Sequence, residues 1–139
     1  MLFDFLKPKS NKNKRFVSEE EAQNDLVPGQ IASNYPLMEL LRQHGVTEND
    51  ELKLEFAFFT NDKTKADSLK GALSSRSNYD VAEVDKTKKL WRLTGWSSKI
   101  KMDIDSVNHW TFDMCKIGFD HDCRFDGWGT FPEKKDQQV

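Results

Sequence analysis

"ELKLEFAFFT", Glu51–Thr60, alternates without a break. Leu52, Leu54, Phe56 and Phe58 fall on one side of an extended chain, and Lys53, Glu55, Ala57 and Phe59 on the other, because successive side chains of a strand point to opposite faces. A period-two run of this kind predicts a strand with one apolar face. The flanking segments must supply a layer to cover that face.

Downstream, Asn61 or Asp62 is placed to cap a helix whose inner face is Ala66, Leu69, Ala72 and Leu73, and "SRSN", Ser75–Asn78, breaks it. "YDVAEVDK" (79–86) and "KLWRLTGWSS" (89–98) read as two strands joined by a tight turn around Asp85 to Lys88. A second helix begins at Asp103 or Asp105, with Val107, Trp110, Met114 and Ile117 recurring at three and four residues. "DHDC", Asp120–Cys123, closes it, and "CRFDGWGTF", Cys123–Phe131, is the final strand. Upstream, Ser33 or Asn34 caps a helix with Pro36 in its first turn, Leu37, Leu40 and Leu41 as its stripe and Gly45 just past its end. The order predicts an α+β fold, a ferredoxin-like βαββαβ sandwich. Its antiparallel sheet carries helices on one face, and an extra helix precedes it.

The chain of 139 residues has room for one core. Residues 1–31 read as a flexible polar tail, 32–132 as the domain and 133–139 as a disordered C-terminal tail. The first tail runs from basic (Lys7, Lys9, Lys12, Lys14, Arg15) to acidic (Glu19, Glu20, Glu21) without an apolar period. Its opening "LFDFLK" reads as a frayed terminus or a short apolar hook.

A formal net charge of -2 argues against direct nucleic-acid binding, which relies on a basic face. Two cysteines are too few for a disulfide framework. No apolar run approaches the roughly 20 residues that cross a bilayer, and "MLFDFLKPKS" lacks a secretory signal's apolar region. A cytoplasmic setting without firm membrane association is expected.

Several side chains invite a chemical reading. His109, Cys115, His121 and Cys123 have the donor types zinc takes. However, His109 and Cys115 lie about 240° apart around a helix, and no metal or other cofactor is expected. Asp103, Asp105, Asp113, Asp120, Asp122 and Asp126 crowd the last segment against only Lys116 and Arg124. They read as a solvated face or as a recognition surface for a basic partner. In the final strand, alternation puts Phe125, Gly127 and Gly129 on one face and Asp126 and Trp128 on the other. Trp128 there either plugs the core's edge or anchors a partner. Trp91 and Trp96 fall on opposite faces, and Arg92, Thr94 and Trp96 line an open one.

The run "FDGWGT" (Phe125–Thr130), preceded by a helix opening "DIDSV" (Asp103–Val107) and a strand carrying "LWRLTG" (Leu90–Gly95), resembles the ribonuclease E inhibitor, or RraB-like, family. "LEFAFFTND" (Leu54–Asp62) is similar to that family's first strand and turn. The resemblance spans roughly Leu37 to Phe131. It departs from the family at Asp122 and Cys123, where a Gly-Gly pair usually ends the helix. It implies a non-catalytic protein that binds an endoribonuclease of the RNA degradosome and lowers or redirects its cutting. The surface expected to meet that partner comprises Asp126, Trp128, Gly127, Asp120, Asp122, Asp113 and Trp96, with no catalytic residues. An open sheet also leaves room for a homodimer. The rival functions are an RNA-binding module on the sheet face and a small carboxylate-dependent hydrolase.

Overall fold

A computed structural model describes residues 15–132; the "LFDFLK" segment, Lys7 to Lys14 and residues 133–139 lie outside them. The elements are helices α1 (Glu19–Glu21), α2 (Val27–Gln43), α3 (Lys63–Ser74) and α4 (Ile104–Asp120), with a π-helical turn at Ala22–Leu26, and strands β1 (Glu51–Thr60), β2 (Asp80–Val81), β3 (Asp85–Thr87), β4 (Leu90–Lys101) and β5 (Arg124–Gly129). All strand pairs are antiparallel, in the order β2-β4-β1-β5, with β3 also on β4. The fold is thus α+β, an open five-stranded antiparallel sheet with three long helices, one of them N-terminal.

β1 behaves as its alternation predicts. Leu52, Leu54, Phe56 and Phe58 are at most 1% exposed and meet Leu69, Leu73, Val107 and Met114 of the helices in one core. Asp62 caps α3 by accepting from the Thr64 amide at 2.9 Å, and Asp103 caps α4 by accepting from Ser106 N at 3.0 Å. Gly45, at φ +89, ends α2, with Val46 N donating back to Leu41 O at 3.0 Å. Among the described residues, no helix is long and apolar enough to cross a membrane.

The N-terminal region departs from expectation. The helical run begins at Ser18, whose Oγ accepts from the Glu21 amide at 3.0 Å, and it continues through the π turn into α2. Val17, Ala22 and Leu26 are buried in the core, so residues from Arg15 onward belong to the folded unit and not to a tail. The Ser-Glu-Glu-Glu pattern at 18–21 is a capping signal masked by its polarity. Ser33 and Asn34 sit inside α2, with Ser33 Oγ donating to Gly29 O at 2.9 Å. The inward stripe is Asn34, Met38 and Leu41, whereas Leu40 is 49% exposed. The hairpin turn also moves, to Lys88–Lys89, because Thr87 pairs with Leu90 and Lys88 takes φ +40. Its incoming strand is split: Ala82 pairs with Thr94 and Asp85 with Arg92, so two residues oppose Leu93 alone.

Candidate functional site

β5 carries a β-bulge that accounts for the glycine before Trp128. Phe58 pairs with Phe125 and Ala57 with Gly127, so Asp126 is an extra residue on β5. Gly127 supplies φ +112, a conformation open to glycine and strained for other residues. Past the bulge the parity reverses, and Trp128 lands opposite Phe56, on the helix-covered face. This overturns the expected grouping of Trp128 with Asp126. The simple alternation fails because one inserted residue swaps every later side chain to the other face.

On that face Trp128 Nε1 donates to Asn34 Oδ1 at 2.8 Å. Asn34 is 1% exposed, and its Nδ2 donates at 2.9 Å to both Asn108 Oδ1 and Thr111 Oγ1. Thr111 Oγ1 in turn donates to Val107 O at 2.8 Å. A satisfied buried amide thus joins α2, α4 and β5, and removing one partner would strand the others. Trp128 is half-buried at the core's edge.

Asp122 is likewise turned inward. It occupies the left-handed position after α4, at φ +56, with its own N–H donating to Phe119 O and Cys123 N to Gly118 O. This is a Schellman ending on a non-glycine residue. The Asp122 carboxylate accepts from the Phe16 and Val17 amides, each at 2.8 Å, and pairs with Lys65 at 2.6 Å and Arg15 at 3.6 Å. Arg15 also donates to Phe119 O and stacks its guanidinium on the Phe119 ring. Asp122 therefore clamps the N-terminal segment to the end of α4.

The other expected residues are dispersed. Asp113 pairs with Arg76 at 2.9 Å, and Asp120 with Lys116 at 3.5 Å, both on the helix layer. Trp96 lies on the opposite, open face beside Phe131, with ring centroids 6.3 Å apart. Asp126 is exposed and shares a shallow depression of about 210 Å³ with Glu55, Ala57, Arg92, Gly127 and Gly129. As expected, the register places Arg92, Thr94 and Trp96 opposite Phe59, Ala57 and Glu55, on the face that the helices leave open. Asp126 and Trp96 thus share one face with Glu55, a residue the sequence reading had not singled out.

The metal and redox candidates do not assemble. Burial pushes both Cys115 and Cys123 up to about 12, and both thiols are free. His121 Nδ1 sits 2.9 Å from Ser68 Oγ, while His109 is exposed on α4. Among the described residues, no group of three His, Cys, Asp or Glu side chains is placed to hold a metal ion.

An open antiparallel sheet backed by helices, with its conspicuous aspartate and tryptophan either built into the core or set on the sheet's free face, defines a small α+β domain that presents a surface. The regulator of ribonuclease activity B (RraB) family model matches residues 32–130. The chain belongs to that family, and membership implies regulation of ribonuclease activity through interaction with a ribonuclease. No curated relative matches the chain.

Proposed function

We propose that the chain is a non-catalytic cytoplasmic regulator that binds a ribonuclease E-like endoribonuclease and lowers RNA cleavage by covering part of its basic surface. The family match over residues 32–130 carries this reading. The scaffold is of ferredoxin-like type, because the strand order β2-β4-β1-β5 with intervening helices is that of a βαββαβ unit. The contact surface we favour is the open sheet face around Asp126, Glu55 and Trp96, where exposed carboxylates lie beside an aromatic side chain. Carboxylates meeting a basic nuclease surface would steer encounter and fix register, and Trp96 would contribute apolar area. Asp113 and Asp120 lie on the other layer and contribute only to the general field, while Trp128, Gly127 and Asp122 shape the scaffold.

The test is an RNA cleavage assay with purified ribonuclease E from the same host and rising amounts of this protein. Cleavage is expected to fall as a stable complex forms. Asp126→Lys combined with Glu55→Lys should weaken that complex by roughly tenfold or more. The reading is lost if saturating protein leaves cleavage unchanged and no complex forms. Retention of RNA by the protein alone would then favour the sheet, with Trp96, Phe131 and Arg92 together, as a stacking platform.

A further inference from the structure

β4 is twelve residues long, but its outer neighbours are short. β3 covers Leu90 to Arg92, and β2 reaches only Gly95 and Trp96. Among the described residues, the last stretch of β4, from Ser98 to Lys101, therefore has β1 on one side and no strand on the other. Which backbone groups face the free side follows from the ladder. Met102 N donates to Asp50 O at 2.9 Å, and Ile100 lies opposite Leu52. Hydrogen-bonded pairs recur at every second residue in an antiparallel ladder, so Ile100 also points its N–H and C=O at β1. Those of Lys99 and Lys101 point outward, away from β1.

A depression of about 480 Å³ opens beside this edge, between β4, the first half of α4 and the segment that follows α3. Tyr79, Ile100 and Trp110 give it an apolar lining, and Arg76, Lys101 and His109 are among its polar residues. Of its two carboxylates, Asp113 is tied to Arg76 at 2.9 Å, which leaves Asp105 against Lys99 and Lys101. Positive charge is thus in excess on a protein whose formal net charge is -2.

We propose that the free edge of β4 at Lys99 and Lys101 is a strand-addition site for an extended peptide segment that alternates acidic and apolar residues. Main-chain bonds to the outward N–H and C=O groups would give the added strand its place, and side chains would select it. Lys99 and Lys101 share the open face, so residues paired with them would be acidic. Ile100 is on the helix face, so the residue between would be apolar and enter the depression, against the Tyr79 and Trp110 side chains, which hydrogen-bond each other at 2.9 Å. A second copy of this chain is a poor occupant, because antiparallel pairing centred on Ile100 would set Lys99 of one copy against Lys101 of the other. Lysines on an edge also discourage such self-pairing. The inference does not depend on which ribonuclease the protein regulates.

The test is a titration of the isotope-labelled full chain with a short synthetic peptide alternating Glu and Val, followed by amide spectra. The same peptide with Lys in place of Glu is the control. Shifts are expected at Ser98–Lys101 and Tyr79, with amide exchange at Lys99 and Lys101 slowed by binding. Lys99→Pro removes an outward N–H and leaves the β1 ladder intact, and should weaken binding by about tenfold. Lys99→Glu with Lys101→Glu should reverse the preference toward the Lys peptide, and it decides the question if the proline variant does not fold. Equal binding of both peptides, binding of neither, or shifts elsewhere would overturn the proposal. So would protection of the Lys99 and Lys101 amides in the free protein, which would mean the edge is already occupied by the chain itself or by a second copy.

Discussion

Gly127 shows how one backbone angle decides where a large side chain goes. At φ +112 an added Cβ meets only Gln30 Oε1, at 3.5 Å, so the objection to a side chain is conformational and not steric. Gly127→Ala is expected to cost about 1–3 kcal/mol, to be read from the urea midpoint alongside Trp emission. Gly129→Ala is the control, because a Cβ there meets nothing within 4 Å and the backbone needs no positive φ. It should be close to neutral. The buried thiols behave differently from their polar neighbours. With Cys115 and Cys123 pushed up to about 12, almost no thiolate exists at neutral pH. A thiol reagent should leave both unmodified in the native protein and label both after denaturation.

At the scale of elements, helix ends account for much of the fold's definition. The amide of Thr64 bonds the Asp62 carboxylate, and the hydroxyl and amide of Ser106 bond that of Asp103. These bonds hold both acids below their ordinary value of 3.8. The folded protein therefore takes up these protons less readily than the unfolded chain. The caps' contribution is present in full above pH 3.8 and is lost as the pH falls through the lower folded values. Melting temperature against pH should fall more gently on this acid limb in Asp62→Asn with Asp103→Asn. The end of α4 makes a second case. Asp122→Gly would relieve the left-handed backbone, worth about 1 kcal/mol. It would also leave the buried Val17 amide without its acceptor, at about 1–3 kcal/mol. Hydrogen exchange should quicken at Phe16 and Val17 while the α4 amides keep their protection. These caps, and the strand from Leu52 to Phe58, were legible in the sequence because each rests on local spacing. The bulge at Asp126 was not, because a one-residue slip leaves no trace in an alternating pattern. Nor was the start of the first helix, where Pro28, Gly29 and a run of polar residues conceal a Ser18 cap. The clamp at Asp122 joins residues over a hundred positions apart, which no spacing rule can anticipate.

For the whole molecule, the folded unit begins well before the region that defines the family. The family match starts at residue 32, yet Val17 and Leu26 are 0% and 5% exposed in the core. At about 1.5–3 kcal/mol for each buried side chain of this size, a chain beginning at residue 32 would lose a large part of a typical stability of about 5–15 kcal/mol. Its thermal midpoint should drop clearly below that of the full chain. The sequence pointed to the family and to Asp126 and Trp96 as surface candidates. It could not say that Trp128 and Asp122 are committed internally, because their partners Asn34, Phe16 and Val17 lie on segments remote in sequence.

The Asp122 clamp also bears on how the protein is made. The carboxylate that accepts from the Val17 and Phe16 amides lies 105 and 106 residues later in the chain. At translation speeds of about 5–20 residues per second, the segment waits on the order of ten seconds before its docking site exists. Until β5 and the end of α4 emerge, Val17 and Leu26 are exposed to whatever the nascent chain meets, chaperones included. Phe16 and Val17 are therefore made well before the carboxylate that holds them.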